Sequence, residues 1–204
     1  MGIYYHWEKQ NQKLGIMEKL KVFIGIPSRG RIHVSLLDFL MGLYKEQRYL
    51  VNVGVGLSKY SVDDARNIVV DKFLKTDADY LLFLDDDNPP IKNPLDLVEL
   101  DKDIIACPVP VMRGEGLFTQ TKIEWCVFQD DNKEWPKQTG LQEVDLVGLQ
   151  CTLIARRVLE QVRTFQSKPP YSEDFNFCKE AREKGYKVFA HFSYPCHHHT
   201  EVAL

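Results

Sequence analysis

Three consecutive carboxylates, Asp85, Asp86 and Asp87, stand at the end of an unbroken apolar run from Tyr80 to Leu84. Adjacent carboxylates repel one another strongly unless a cation neutralises them, and an all-oxygen cluster suits Mg2+ or Mn2+. A divalent ion held there could also grip a diphosphate. The competing reading is a solvated acidic turn. Against it stands the preceding strand, which is wholly apolar and so fixes the three side chains rigidly at a sheet edge. The earlier Asp77-Ala78-Asp79 fails the same test, because it precedes the apolar run instead of following it.

The elements that must hold this cluster follow from hydrophobic periodicity. KVFIGIPSRG reads as a buried strand that stops at Pro27 and opens into a polar turn. From His33 to Gln47, apolar residues recur at Leu36, Leu37, Leu40, Met41 and Tyr44, one face of a helix. VNVGVG is a second short strand, and Ser61 then caps a helix with Asp63 and Asp64 in its first turn and Ala65, Ile68, Val69 and Phe73 buried. That helix leads into the acidic strand. Asn93-Pro94 starts a short helix through Leu100, and IIACPVPV is another strand. Strands alternating with helices predict a mainly parallel sheet with helices on both faces. In such a sheet ligands bind beyond the carboxyl ends of the strands, where Asp85 to Asp87 stand.

The second half reads more loosely. KIEWCVFQ predicts a strand, DDNKEWP a polar turn, and VDLVGLQCTLIA a strand-like run interrupted by Gly148 and followed by the helix-like RRVLEQV. Ser172 is expected to cap a last helix with Phe175, Cys178 and Ala181 on one face, closing at Gly185. YKVFAHF is the final strand and CHHHTEVAL a tail. Residues 1–20 lack periodicity and read as an arm or a short helix before a single domain over residues 21–204.

Composition narrows the classes of function. At 204 residues, 44% hydrophobic and 27% charged, the chain has the balance of one globular domain with a substantial core. The formal net charge is -3 and the basic residues are dispersed, which argues against nucleic acid as a partner. No apolar run approaches the roughly 20 residues that span a bilayer, and the first ten residues lack the pattern of a secretory leader. A cytoplasmic location is expected. The five cysteines are far apart, with no C-x-x-C pair, and suggest neither a disulfide framework nor a zinc knuckle. They read as mostly reduced and structural.

Taken together, these motifs resemble the glycosyltransferases of the GT-A fold, especially the family 2 type, from Val22 to His199. In that group a strand ends in a D-x-D motif, matched here by Asp85 and Asp87; the resemblance implies that Asp87 binds the metal and that Asp85 contacts metal or ribose. Asp86 permits a shifted register. IGIPSRG is similar to the turn that cradles the nucleotide, placing Pro27, Ser28 and Arg29 in that site. SVDDARN resembles the helix whose Arg, here Arg66, faces the nucleotide. An Arg there is chemically reasonable, since its planar fork pairs with phosphate or carboxylate.

SEDFNFCKEAREKGYKVFAH is similar to the family's helix near the acceptor. By that analogy Asp174 is the general base of an inverting reaction and Glu173 its neighbour, although acidic residues in a helix's first turn also suit the dipole on their own. The tail matches the place where metal-using members add a His ligand, and alignment on Cys196 favours His198 over His197 and His199. Gly148 would let backbone or sugar approach closely.

The resemblance thus implies a transferase using Mn2+ or Mg2+, a UDP- or GDP-sugar donor and a carbohydrate or other hydroxyl acceptor. The acceptor region is compact, so a second copy of the chain is a candidate partner. Stereochemistry stays open: if it is retained, the His ligand fits better and Asp174 positions or stabilises instead. A phosphohydrolase with an aspartyl nucleophile fits less well, because its D-x-D lies near the start and continues into Thr or Val, not Asn88-Pro89-Pro90. A sugar nucleotidyltransferase would carry a Gly-rich basic loop that the first strand here lacks. A binding protein that kept the fold without turnover is the remaining alternative.

Overall fold

The structure, a computed structural model, describes residues 19–113, 122–129 and 137–199. The expected N-terminal arm, apart from its last two residues, and the DDNKEWP turn lie outside the described residues.

The apolar runs become the strands β1 (Lys21–Ser28), β2 (Leu50–Leu57), β3 (Tyr80–Leu84) and β4 (Ile104–Ala106). Later in the chain come β5 (Pro110–Arg113), β6 (Lys122–Trp125), β7 (Val127–Phe128), β8 (Leu141–Val144), β9 (Leu146–Val147), β10 (Cys151–Ala155) and β11 (Val188–His191). Seven of them form one sheet in the order β2-β1-β3-β10-β4-β11-β8. β1 pairs parallel with β2 and β3, and β4 pairs parallel with β11. β10 runs antiparallel between β3 and β4, and β8 closes the far edge antiparallel to β11. The remaining strands form the two-stranded pairs β5-β6 and β7-β9.

The helices are α1 (Val34–Gly42), α2 (Val62–Leu74), α3 (Arg156–Leu159) and α4 (Glu173–Glu183), with 3-10 turns at Leu43–Lys45 and Pro94–Leu100. Successive strand residues point to opposite faces, and the two cores follow that alternation. Val22, Ile24, Leu82, Leu84, Ile105 and Leu153 meet α1 and the Pro94–Leu100 turn on one side. Phe23, Leu81, Phe83, Ile104 and Ile154 meet α2, α3 and α4 on the other. All five residues of β3 are buried, as a strand covered on both faces requires. The expected mainly parallel sheet with helices on both faces is observed. Among the described residues no helix is long and apolar enough to cross a membrane.

Where local expectations differ, the cause is chemical. IIACPVPV divides into β4 and β5 because Pro108 has no N–H to continue a ladder. The run around Gly148 divides into β9 and β10, and only β10 joins the main sheet. A Cβ at Gly148 would lie 2.5 Å from the Cys126 sulfur, so it is protein, through Cys126 and Gln150, that approaches this glycine. On α2, Arg66 and Val70 are buried while Ile68 is half-buried, so the buried stripe is rotated toward Arg66.

Helix α2 packs unusually close to the sheet. A Cβ at Gly56 on β2 would lie 2.1 Å from the Ala65 carbonyl oxygen and 2.7 Å from Val69 Cγ2. A backbone oxygen cannot swing aside as a side-chain tip can. Gly56→Ala should therefore destabilise the fold by about 1–3 kcal/mol, read as a lower urea midpoint, with α2 displaced outward. An unchanged midpoint would contradict the close approach.

Candidate functional site

Alternation along β3 decides how the acidic cluster is used. Asp85 continues the face of Phe83, the side on which α2 lies, and its carboxylate is met there by Arg66. Arg66 Nη1 donates to Asp85 Oδ1 at 3.0 Å and Nη2 to Oδ2 at 3.1 Å, a two-pronged match of planar groups. The same guanidinium donates from Nε to Glu173 Oε1 at 3.1 Å and sits over the Phe83 ring. Arg66 is 2% exposed. It therefore faces the carboxylates from beneath, and is neither a surface ion pair nor a wall of the cleft.

Asp86 and Asp87 open onto a cleft of about 1320 Å3 whose walls include Pro27, Ser28, Arg29, Asp85 and His198. Ser28 builds the nearby loop: its hydroxyl accepts from the Gly30 N–H at 3.0 Å and donates to the Arg31 carbonyl at 2.9 Å. Gly30 takes a φ of 104°, a conformation that favours glycine. Arg29 and Arg31, both exposed, stand at the mouth. By contrast, Asp77 and Asp79 serve the start of β1, through an ion pair with Lys21 Nζ and a bond from the Lys21 N–H, both 2.7 Å.

The tail lies along the segment after β3. His199 N–H donates to the Asp87 carbonyl, His197 N–H to that of Pro89, and Ile91 N–H to that of Pro195, at 3.0, 3.0 and 3.2 Å. This strip brings His198 to the acidic ledge. His198 Nδ1 is 2.9 Å from the Pro110 carbonyl, which can only accept, so Nδ1 carries a proton and Nε2 is the nitrogen left for an ion or ligand. Nε2 stands 3.9 Å from Asp87 Oδ2. His199 stacks on His33 with ring centroids 3.9 Å apart, and the His33 N–H donates to the Asp86 carbonyl at 2.9 Å.

These residues fit a divalent ion. Two ligands with bonds of about 2.1 Å to one ion stand about 3 to 4.2 Å apart, and the His198–Asp87 separation falls in that range. Burial, then the charge of Asp85, pushes the Asp87 carboxyl upward, with His198 opposing. Beside it, Asn88 is 2% exposed and its Oδ1 has no hydrogen-bond partner among the described residues. A buried acceptor of that kind suits a hydrated ion or a ligand donor.

Glu173 and Asp174 open α4 and are brought close to the ledge through Arg66, but they do not line the cleft. Ser172 occupies the N-cap position without capping; its hydroxyl bonds Asp174 Oδ1, which also accepts from the Phe175 N–H at 2.8 Å. Burial, then repulsion by Glu173, pushes the Asp174 carboxyl up to about 6 against the pull of Ser172 and Arg66. Sequence reasoning did not single out Arg31 or His33, and it named His199 only as a less favoured candidate ligand beside His198. Arg31 was signalled by its place two residues after Arg29, whereas the His33–His199 stack has no local signature.

Removing the guanidinium would leave two acids facing one another with no cation between them. Arg66→Ala is expected to cost about 3–5 kcal/mol, and Arg66→Lys to recover part of it, since an ammonium keeps the charge but not the fork. Urea unfolding of both variants checks this; a loss below 1 kcal/mol in Arg66→Ala would show that the network carries little.

No protein-family model and no curated protein matches this sequence. Among solved structures, the chain is similar to A197 from STIV, with a TM-score of 0.61 and 25% identity over 89% of this chain and 87% of that one. It is also similar to GalNAc-T7, crystallised with UDP, GalNAc and Mn2+, with a TM-score of 0.55 and 12% identity over 91% of this chain and 45% of that one. Together with the sheet order and the helices on both faces, these likenesses show the fold: a mixed α/β domain of the GT-A glycosyltransferase type.

Proposed function

We propose that the chain is a glycosyltransferase that moves a sugar from a UDP- or GDP-sugar to a hydroxyl acceptor with the aid of Mn2+ or Mg2+. One observation supports this most: Asp85 to Asp87 sit rigidly at the carboxyl end of β3 and open onto a large cleft, with His198 carried to them by the tail.

Asp87 and the Nε2 of His198 would hold the ion, and Asp85 can join them through lone pairs that Arg66 does not use. When bound, the ion offsets the charge that develops on the departing diphosphate. Pro27 and Ser28 form the wall for the nucleotide, Asp86 faces its ribose, and Arg29 and Arg31 add positive charge near the phosphates. Glu173, fixed by Arg66, holds the start of α4 in place. Asp174 is the candidate base: a carboxyl raised to about 6 is ionised at neutral pH yet basic enough to take an acceptor proton.

Binding of the same donor without turnover is the second reading. It draws on one feature, the recession of Asp174, which is 8% exposed and outside the cleft wall.

Thermal unfolding with UDP-, GDP-, CMP- and dTDP-sugars, each with and without Mn2+, tests the donor class. One nucleotide should stabilise the fold, and only with metal; no shift with any of them would count against the proposal. Asp174→Asn separates the two readings. An enzyme keeps the metal-dependent shift and loses transfer, and its wild-type rate climbs with pH through about 6 as the base ionises.

Stability should move in the opposite sense to activity. The folded state holds the Asp174 proton more tightly than the unfolded chain does, so this group's contribution is full below pH ~4 and lost as pH rises through about 6. Asp174→Asn, permanently neutral, should be more stable than wild type by about 1–3 kcal/mol at pH 8 and no more stable at pH 4.

A further inference from the structure

Three cysteines that the sequence scatters meet at the carboxyl edge of the sheet. Cys107 follows β4, Cys151 opens β10, and Cys196 belongs to the tail strip. Ala106 pairs with Thr152, so Cys107 falls opposite Cys151, and its N–H donates to the Cys151 carbonyl at 2.8 Å. The Cys196 N–H donates to the Pro108 carbonyl at 3.0 Å, which draws the tail onto the same spot. The three sulfurs all lie within 4.8 Å of one another, none is in a disulfide, and the residues are 3%, 0% and 2% exposed. They sit on the face that carries Leu84, Ile105 and Leu153.

We propose that Cys107, Cys151 and Cys196 form a three-sulfur site for one copper(I) ion, separate from the carboxylate ledge. Around an ion with metal–sulfur bonds of about 2.3 Å, three coplanar sulfurs stand about 4 Å apart. The observed cluster reaches that spacing with a contraction of less than about 1 Å. Thiol sulfur selects soft cations and has little affinity for Mg2+ or Mn2+, so the two sites sort their ions by donor type.

Coordination number then chooses among the soft ions. No His, Asp or Glu joins this group among the described residues, and His197, next in the chain, is exposed. Structural zinc asks for four ligands, whereas copper(I) is satisfied by three. Each bound sulfur is a thiolate, so loading the site passes the thiol protons to solvent. Three separate segments, β4, β10 and the tail that carries His198, would then be tied at one point.

The test uses the full chain, reduced and kept free of oxygen, and a copper(I) salt competed against a chromophoric copper(I) chelator. Wild type should take one copper per chain and unfold at a higher temperature when loaded. Cys151→Ser and Cys196→Ser should each weaken capture about tenfold or more, while Cys126→Ser, outside the cluster, and Asp87→Asn, in the ledge, should retain it. Loss of capture in Asp87→Asn would place the ion in the cleft and overturn the assignment. So would equal capture by wild type and both serine variants, no capture by wild type, or Zn2+ held more tightly than copper(I). X-ray absorption at the copper edge of the loaded wild type gives a reading that does not depend on the variants folding. Three sulfur neighbours are expected, and nitrogen or oxygen neighbours would refute the site. None of these outcomes bears on donor binding at the ledge.

Discussion

The guanidinium of Arg66, sealed from solvent and divided between Asp85 and Glu173, holds β3, α2 and α4 in one geometry. A charge cannot be left alone in such a place, and two acids cannot approach one another there without a cation between them. Each of the three groups therefore requires the other two. Such a network is a weak source of net stability, because desolvation offsets much of the attraction. What it does supply is definition: a planar fork satisfied by both oxygens of Asp85 leaves that carboxylate little freedom. Since Asp86 and Asp87 follow directly, the orientation of the ledge is inherited from a residue that never reaches the cleft.

Charge around this point is not balanced. Asp85, Asp86, Asp87, Glu173 and Asp174 supply five carboxylates, and the buried cation among them is Arg66. Arg29 and Arg31 lie at the mouth in water, where screening weakens their effect on the interior. The surplus shows in the groups that carry it: Asp87 and Asp174 are both pushed upward, each by burial first and by a neighbouring acid second. A surplus that stands at the cleft, and not on a distant surface, favours cationic or cation-bearing ligands there.

Much of this was readable from the chain, and the limits have physical causes. β3 and its acidic end were legible because an apolar run halted abruptly by charge marks the point where a buried strand meets water. Ser61 likewise announced α2 by its side chain, which accepts from the Asp64 N–H at 3.1 Å. Pro27, Ser28, Arg29, Asp85, Asp86, Asp87 and His198 were all brought to one cleft. The burial of Arg66 was not legible, since a charged residue inside a helix is ordinarily exposed and its partner Glu173 is 107 residues away. Nor was the reversed direction of β10, because an apolar strand buried on both faces carries no mark of whether its neighbours run with it or against it. The cysteines failed for the same reason, as their spacing in sequence says nothing about strands that lie side by side.

The tail shows how far such information can be displaced. His198 has no periodicity and follows the last strand, so nothing local fixes its direction. Its position comes from backbone hydrogen bonds to the segment Asp87 to Ile91, which itself cannot form a helix or a full strand because Pro89 and Pro90 interrupt it. The prolines leave carbonyls without a ladder, and the tail N–H groups satisfy them. The same irregular stretch that ends the acidic strand thus becomes the template that returns a histidine to it. The juxtaposition of Asp87 and His198, 111 residues apart in sequence, then depends on this strip. Changes in the strip should therefore act on the ledge even where they touch neither of these side chains.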